Sequence, residues 1–273
     1  MTSPDRLREG FAVAITGAAG GIGSALARAF ARRGARVALL DLPGPALDAL
    51  AAELRASGAD ALALACDVTD AAQTRAATAA AVARFGGLDV AIANAGITHI
   101  GRFAETDAAV LRRVMDVNFF GAVHLAQAAA EPLAARRGVL VVVSSVAGFA
   151  PLAGRAGYAA SKHALHGLFA SVRVEWRRRG VQVLIACPSF VATDIGKRAL
   201  GPDGGAPRDA RTTTGKPASP DAVAEAIARA AIARRRFLVL SPVGVASWWL
   251  ARLWPAGYER IMERRLLRGE AAP

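Results

Sequence analysis

The sequence predicts a doubly wound α/β fold, with one parallel sheet of seven strands and helices on both of its faces. Three observations predict it. Short aliphatic and β-branched runs recur along the chain, and Ala-, Leu- and Arg-rich stretches with helical spacing lie between most of them. The runs are also continuously apolar rather than alternating, as strands covered on both faces require. Strands are predicted at residues 11–16, 35–40, 61–66, 88–93, 139–144, 181–186 and 237–240. Helices are predicted at, among others, residues 22–33, 45–56, 71–84 and 156–179, joined to the strands by right-handed crossovers.

The first strand runs into Thr16-Gly17-Ala18-Ala19-Gly20-Gly21-Ile22-Gly23, and a helix opens directly behind it. Glycine lets the backbone turn tightly and approach a pyrophosphate, while the free amides and the dipole of a helix N-terminus favour negative charge. A Gly-rich loop alone is a weak signal. The strand before and the helix after make this one a phosphate cradle rather than a plain turn. The second strand ends at Asp41, placed to accept hydrogen bonds from an adenosine ribose, and a carboxylate there repels a 2′-phosphate. Nothing basic lies inside the loop, so NAD is expected over NADP. The competing reading makes Asp41 a turn residue before Pro43-Gly44.

The fourth strand leads into Asn94-Ala95-Gly96, and the fifth ends at Ser144-Ser145, at the carboxyl edge where open α/β sheets bind ligands. Tyr158 and Lys162 follow at the start of a helix, four residues apart and therefore on one face. The chain holds two tyrosines and three lysines, so shuffling yields that spacing in only about 2% of cases. The choice of lysine is informative, because 31 of the 34 cations are arginine. A phenol, with a pKa near ~10, is a poor proton acceptor at neutral pH. One ammonium at about 4 Å, in an effective dielectric of about 20, favours the phenolate by up to about 4 kcal/mol, or about three pKa units. Together these residues describe a general acid/base, with Ser145 holding the substrate oxygen.

Residues 8–241 resemble the short-chain dehydrogenase/reductase family, whose members are Rossmann-fold oxidoreductases. The family's Thr-Gly-x-x-x-Gly-x-Gly motif matches Thr16, Gly17, Gly21 and Gly23, with Ile22 inside it, and its Asn-Ala-Gly motif matches Asn94, Ala95 and Gly96. Its Ser and Tyr-x-x-x-Lys set matches Ser145, Tyr158 and Lys162. The resemblance implies that Asn118 completes a proton relay through water to Lys162 and that Asp67, with Val68 beside it, contacts the adenine. It implies further that Lys162 holds the nicotinamide ribose and that Val191 and Thr193, after Pro188, bind the carboxamide. The chain departs from the family once: Pro188-Ser189 stands where Pro-Gly is usual. The mechanism implied is hydride exchange between a nicotinamide and a carbinol carbon, with Tyr158 exchanging the oxygen-bound proton.

Residues 1–241 read as one dehydrogenase domain, with a substrate lid at 188–220, and residues 242–273 as an amphipathic extension packed on it. The expected pocket wall comprises Ile97, Thr98 and His99, residues 146–152, and Phe190 with the lid. That wall is mostly apolar and suits a lipophilic secondary alcohol or ketone better than a sugar. His99, like His124, His163 and His166, reads more readily as packed or solvated than as a substrate contact. An NADP-dependent reductase of keto or 3-oxoacyl substrates is the alternative within the enzyme class, and a non-catalytic dinucleotide sensor the alternative outside it. A sensor predicts a broken Ser, Tyr, Lys, Asn set.

The 273 residues are 53% apolar and 21% charged, with a net charge of +12, a composition that excludes disorder. Two cysteines, Cys66 and Cys187, cannot form a disulfide framework. The arginines fall in short runs at 32–33, 177–179 and 234–236, where predicted helices end and cations complement the helix dipole. They are scattered rather than clustered with aromatics, so no nucleic-acid partner is expected. Asp5, Arg6, Arg8 and Glu9 stand where an export signal needs an apolar run, and the uncharged stretches 138–154 and 237–251 are too short to span a bilayer. The expected location is the cytoplasm. The extension mixes Trp248, Trp249, Leu250, Leu253, Trp254, Tyr258, Ile261, Met262, Leu266 and Leu267 with five arginines. Packing over the substrate mouth or a neighbouring subunit, peripheral membrane contact and simple core are its three readings. The family resemblance implies a homo-dimer or homo-tetramer.

Overall fold

The computed structural model describes residues 10–207 and 217–270, the last six as backbone only. Residues 1–9, lid residues 208–216 and the side chains of Arg265, Leu266, Leu267 and Arg268 lie outside the described residues. The seven expected strands form one parallel sheet: β1 (Ala12–Thr16), β2 (Arg36–Asp41), β3 (Ala61–Ala65), β4 (Val90–Ala93), β5 (Val139–Val143), β6 (Gln182–Cys187) and β7 (Phe237–Val239). Their order across the sheet is β3-β2-β1-β4-β5-β6-β7. Because β1 has β2 on one side and β4 on the other, the winding reverses between β1 and β4, and the crevice at their carboxyl ends is open to a ligand.

Side-chain alternation divides the core in two. Val13 and Ile15 of β1 belong to one cluster, covered by α1 (Gly21–Ala31), α2 (Pro45–Ala56) and α7 (Pro220–Ile232). Ala12 and Ala14 belong to the other, covered by α3 (Ala71–Phe85), α5 (Gly121–Arg136) and α6 (Ala156–Trp176). Each face therefore excludes water from residues such as Phe30 and Phe169, both fully buried. Between β4 and α5 the chain forms α4 (Ala108–Met115), which packs on α6, and then a single π-helical turn, Asp116–Phe120. After β7 come α8 (Pro242–Leu253) and α9 (Pro255–Glu270), packed on each other.

The arginine runs lie where helices end. Arg32 caps α1, Arg177–Arg179 form a 3₁₀ turn after α6, and Arg234 follows α7. The Arg234 guanidinium donates to the carbonyls of Arg137 and Gly180, both 2.7 Å away, tying three chain reversals together. Arg28 makes a two-pronged pair with Glu53 at 2.7 and 2.8 Å, joining α1 to α2.

Candidate active site

The cradle begins where β1 ends. Gly17 takes φ +62°, a left-handed conformation that L side chains rarely adopt. A methyl group on Gly23 would collide with the Gly17 carbonyl oxygen, so the loop closes only around glycine. Side chains cap α3, α4, α7 and α8, through Asp70, Asp107, Ser219 and Ser241. Like α2, α5 and α6, α1 starts with no side-chain cap, and its first turn, which opens at the glycine loop, holds no acid. Its amides are left for an external anion, which fits a pyrophosphate.

Neighbouring strand ends brace the loop. Asn94 donates through Nδ2 to the carbonyls of Thr16 and Gly17 at 2.9 and 3.0 Å, and the amides of Asn94 and Ala95 donate to Thr16 Oγ1. Asp41 accepts from the Ala19 amide at 2.7 Å and from the Leu42 amide at 2.8 Å, so its carboxylate stands against the loop instead of merely starting a turn. At the end of β3, Asp67 accepts from the amide and hydroxyl of Thr69, while Val68 is buried against Gly121 at the start of α5.

The Tyr158 and Lys162 pair singled out by the sequence sits on α6. Tyr158, Lys162, Leu165 and Phe169 fall on one helical stripe, and the last three are buried. A lysine in that stripe costs free energy unless something uses its charge. Lys162 is 4% exposed, its Nζ donates to the Val143 carbonyl at 3.0 Å, and it lies 5.7 Å from the Tyr158 ring centroid. Burial pushes its ammonium down to about 8. Ser145 Oγ accepts from the Ala147 amide at 3.1 Å, which leaves its O–H to donate.

Asn118 stands in the π-helical turn rather than in regular α-helix, the sort of local irregularity that marks functional sites. Its side chain accepts from the Ile97 amide at 2.8 Å and donates to the Ile97 carbonyl at 3.0 Å and to Ser161 Oγ at 2.9 Å. It thus fastens the loop after β4 to α6. Asn118→Ala is expected to cost about 2 kcal/mol in denaturant unfolding, since partners in the interior are left unpaired.

A cleft of about 510 Å³ gathers Ile22, Asn94 and Gly96 with Ser145, Tyr158, Lys162, Pro188, Val191 and Thr193. A methyl group on Gly21 would lie 2.6 Å from Thr193 Cγ2, so the first part of the lid rests on the phosphate loop. A second cleft of about 620 Å³ adjoins it, lined mainly by Val146, Ala147, Ala150, Pro151, Leu152, Phe190 and, from the extension, Val243, Tyr258 and Met262. Ser145, Tyr158 and Ser189 line both, so the Tyr158 phenol stands at the junction.

The short chain dehydrogenase family model matches residues 12–201. The chain belongs to that family. It is 34% identical to the dehydrogenase/reductase SDR family member 7B of Bos taurus over 261 residues, covering 93% of this chain and 80% of the relative. A short-chain dehydrogenase/reductase of Burkholderia phymatum, solved with NAD, superposes with a TM-score of 0.80 at 28% identity, covering 89% of this chain and 93% of that one. An alcohol dehydrogenase of Thermococcus sibiricus, solved with 5-hydroxy-NADP, gives 0.73 at 27% identity over 84% and 95% of the two chains. The chain is therefore an oxidoreductase acting on CH–OH groups with NAD(P).

Two parts of this short-chain dehydrogenase escape a reading of the sequence. Thr98 and His99, expected on the pocket wall, are fully buried and line neither cleft. The chain at Leu200 pairs with them: the Leu200 amide donates to the Thr98 carbonyl and the Ile100 amide to the Leu200 carbonyl. Both His99 ring nitrogens lack a hydrogen-bond partner, and burial, with Arg155 nearby, holds the imidazole below its ordinary pKa. The second part is a polar cluster behind Lys162. His166 Nε2 meets Ser144 Oγ at 2.9 Å and Cys187 Sγ at 3.6 Å, and Ser144 Oγ donates to the Lys162 carbonyl at 3.3 Å. Burial pushes His166 down to about 4, so it is neutral at physiological pH, and burial raises the Cys187 thiol. Arg155 also lines the second cleft, which the sequence does not suggest, whereas Tyr258 and Met262, one helical turn apart, line it from the extension.

Proposed function

We propose that the protein is an NAD-dependent oxidoreductase interconverting a lipophilic secondary alcohol and its ketone, with Tyr158 as general acid/base. The observation that carries this reading is the placement of Ser145 and Tyr158 on the shared wall of a cleft leading to the glycine loop and a cleft that is largely apolar. The glycine loop, the uncapped start of α1 and Asp41 would hold the dinucleotide, whose nicotinamide supplies a hydride acceptor when bound.

In oxidation, Tyr158 takes the proton from the alcohol oxygen while Ser145 donates to that oxygen and fixes its position. Lys162 keeps a positive charge beside the phenol, and Asn118 holds the loop and the helix that carry the two together. Asp67 and Val68 border the adenine side, and Pro188, Val191 and Thr193 the carboxamide side. The apolar wall made by residues 146–152 and the extension receives the rest of the substrate and excludes water.

Asp41 supports NAD over NADP. A like charge at about 4 Å costs about 1 kcal/mol even in water, and a 2′-phosphate carries almost two charges, so a preference of roughly tenfold to thirtyfold is expected. Asp41→Ser should shrink that ratio of kcat/KM values by about the same factor. A wild-type preference for NADP would instead favour the reductase of keto or 3-oxoacyl substrates. The test of the main reading is a panel of lipophilic secondary alcohols followed by the absorbance of reduced nicotinamide. Turnover of polyols alone would sink it, and turnover of none, with NAD still bound, would leave the dinucleotide sensor.

We place the enzyme in the cytoplasm as a homo-dimer or homo-tetramer. Support comes from Phe120, before α5, and Val174 on α6, which are exposed beside the two long helices. No helix among the described residues is long and apolar enough to cross a membrane.

A further inference from the structure

The α8–α9 pair presents three different faces. Trp248 points inward, its ring centroid 4.8 Å from that of Phe149 and 4.7 Å from that of Phe237, and Gly244 fits against Val239 and Val146. Val243 and Ser247 of α8, with Tyr258 and Met262 of α9, form a wall of the apolar cleft. The third face has no such role. Val245, Trp249 and Leu253 recur at every fourth residue of α8, 44%, 58% and 76% exposed, and Trp254 extends the stripe at 56%.

Several features identify what covers this stripe. Trp at the surface of a helix, beside leucine and valine, suits the boundary between headgroups and acyl chains. Exposed Arg252, Arg260 and Arg264 accompany it on the same helix pair, against exposed Glu259 and Glu263, and the whole chain carries +12. That sign complements an anionic leaflet. The stripe and the cleft wall are also two different faces of one helix pair, so the element that would meet the surface is the element that lines the cleft.

We propose that α8 and α9 dock on an anionic membrane surface through Val245, Trp249, Leu253 and Trp254, and that lipophilic substrate passes from the bilayer into the adjoining cleft. The delivery step rests on the lipophilic-alcohol reading above, and the docking step stands without it.

The test is co-sedimentation of the full chain with phosphatidylcholine vesicles, with and without phosphatidylglycerol, alongside the variant Val245→Ser/Trp249→Ser/Leu253→Ser. The wild type should sediment with the anionic vesicles at least about tenfold more tightly than with neutral ones, and the variant should lose about as much. Both proteins should oxidise a short, water-soluble secondary alcohol equally, which shows that the variant is folded. A lipophilic alcohol presented in anionic vesicles should be oxidised faster by the wild type. Absence of sedimentation, or equal sedimentation of the variant, would overturn docking. So would a wild-type oligomer that the variant converts to smaller species in ultracentrifugation, because the stripe would then be a subunit contact. Equal oxidation of the vesicle-borne alcohol would overturn delivery. Failure of every lipophilic alcohol in free solution would instead count against the substrate reading, leaving the sedimentation result intact.

Discussion

Tyr158→Phe is expected to cut turnover at least about a hundredfold while leaving NAD binding nearly unchanged. The substitution removes one oxygen from a half-buried ring and little else. The ring still lies over Lys162 and still lines both clefts, so the groups that would grip the dinucleotide keep their places. What is lost is the phenolic hydroxyl, whose ordinary pKa of about 10 an ammonium such as Lys162 can bring within reach of accepting and returning a proton. Steady-state kinetics beside fluorescence titration with NAD separates the two effects. Turnover retained in the Phe variant would remove Tyr158 from its role.

Gly23→Ala is expected to abolish dinucleotide binding, an effect of at least about two orders of magnitude on its Kd. The added methyl meets backbone, the Gly17 carbonyl oxygen first and then Ala18 Cα at 2.9 Å, while Asn94 Nδ2 stands at 2.9 Å. The first two are backbone, and the third is a side-chain end pinned by two hydrogen bonds. Relief would require the loop to open, breaking the hydrogen bonds by which Asn94 spans Thr16 and Gly17. Gly34, which has open space around it, is the control, although its φ of +75° makes alanine there mildly strained as well. Calorimetric titration of the two variants with NAD distinguishes a blocked cradle from a general loss of stability.

The parts of the molecule that one chain segment determines by itself were legible. Strand runs such as 139–144 and 181–186 lie within a residue or two of β5 and β6, because a strand buried on both faces leaves a continuous apolar signature. The Tyr158–Lys162 pair was legible for a similar reason: four residues on a helix is a fixed distance. Parts made by packing were not. Ser144, His166 and Cys187 are 22 and 21 residues apart in sequence and meet only because α6 lies across β5 and β6. His99 reads as packed or solvated, and which of the two holds is decided by the bridge to Leu200, about a hundred residues away, which buries it. The extension carries three apolar faces on α8, and a sequence gives no means of telling the face turned to Phe149 from the face turned outward.

The central claim is that a buried ammonium lets Tyr158 exchange protons beside the dinucleotide cleft, and the pH profile of kcat/KM for NAD tests it most directly, since that ratio reports the free enzyme. Lys162 is charged below its value of about 8 and neutral above it, so the wild type should lose activity as pH rises through about 8. Lys162→Arg carries a charge that persists across this range, so its lower activity should show no fall there. An identical alkaline fall in both proteins would show that the charge at position 162 does not govern the reaction.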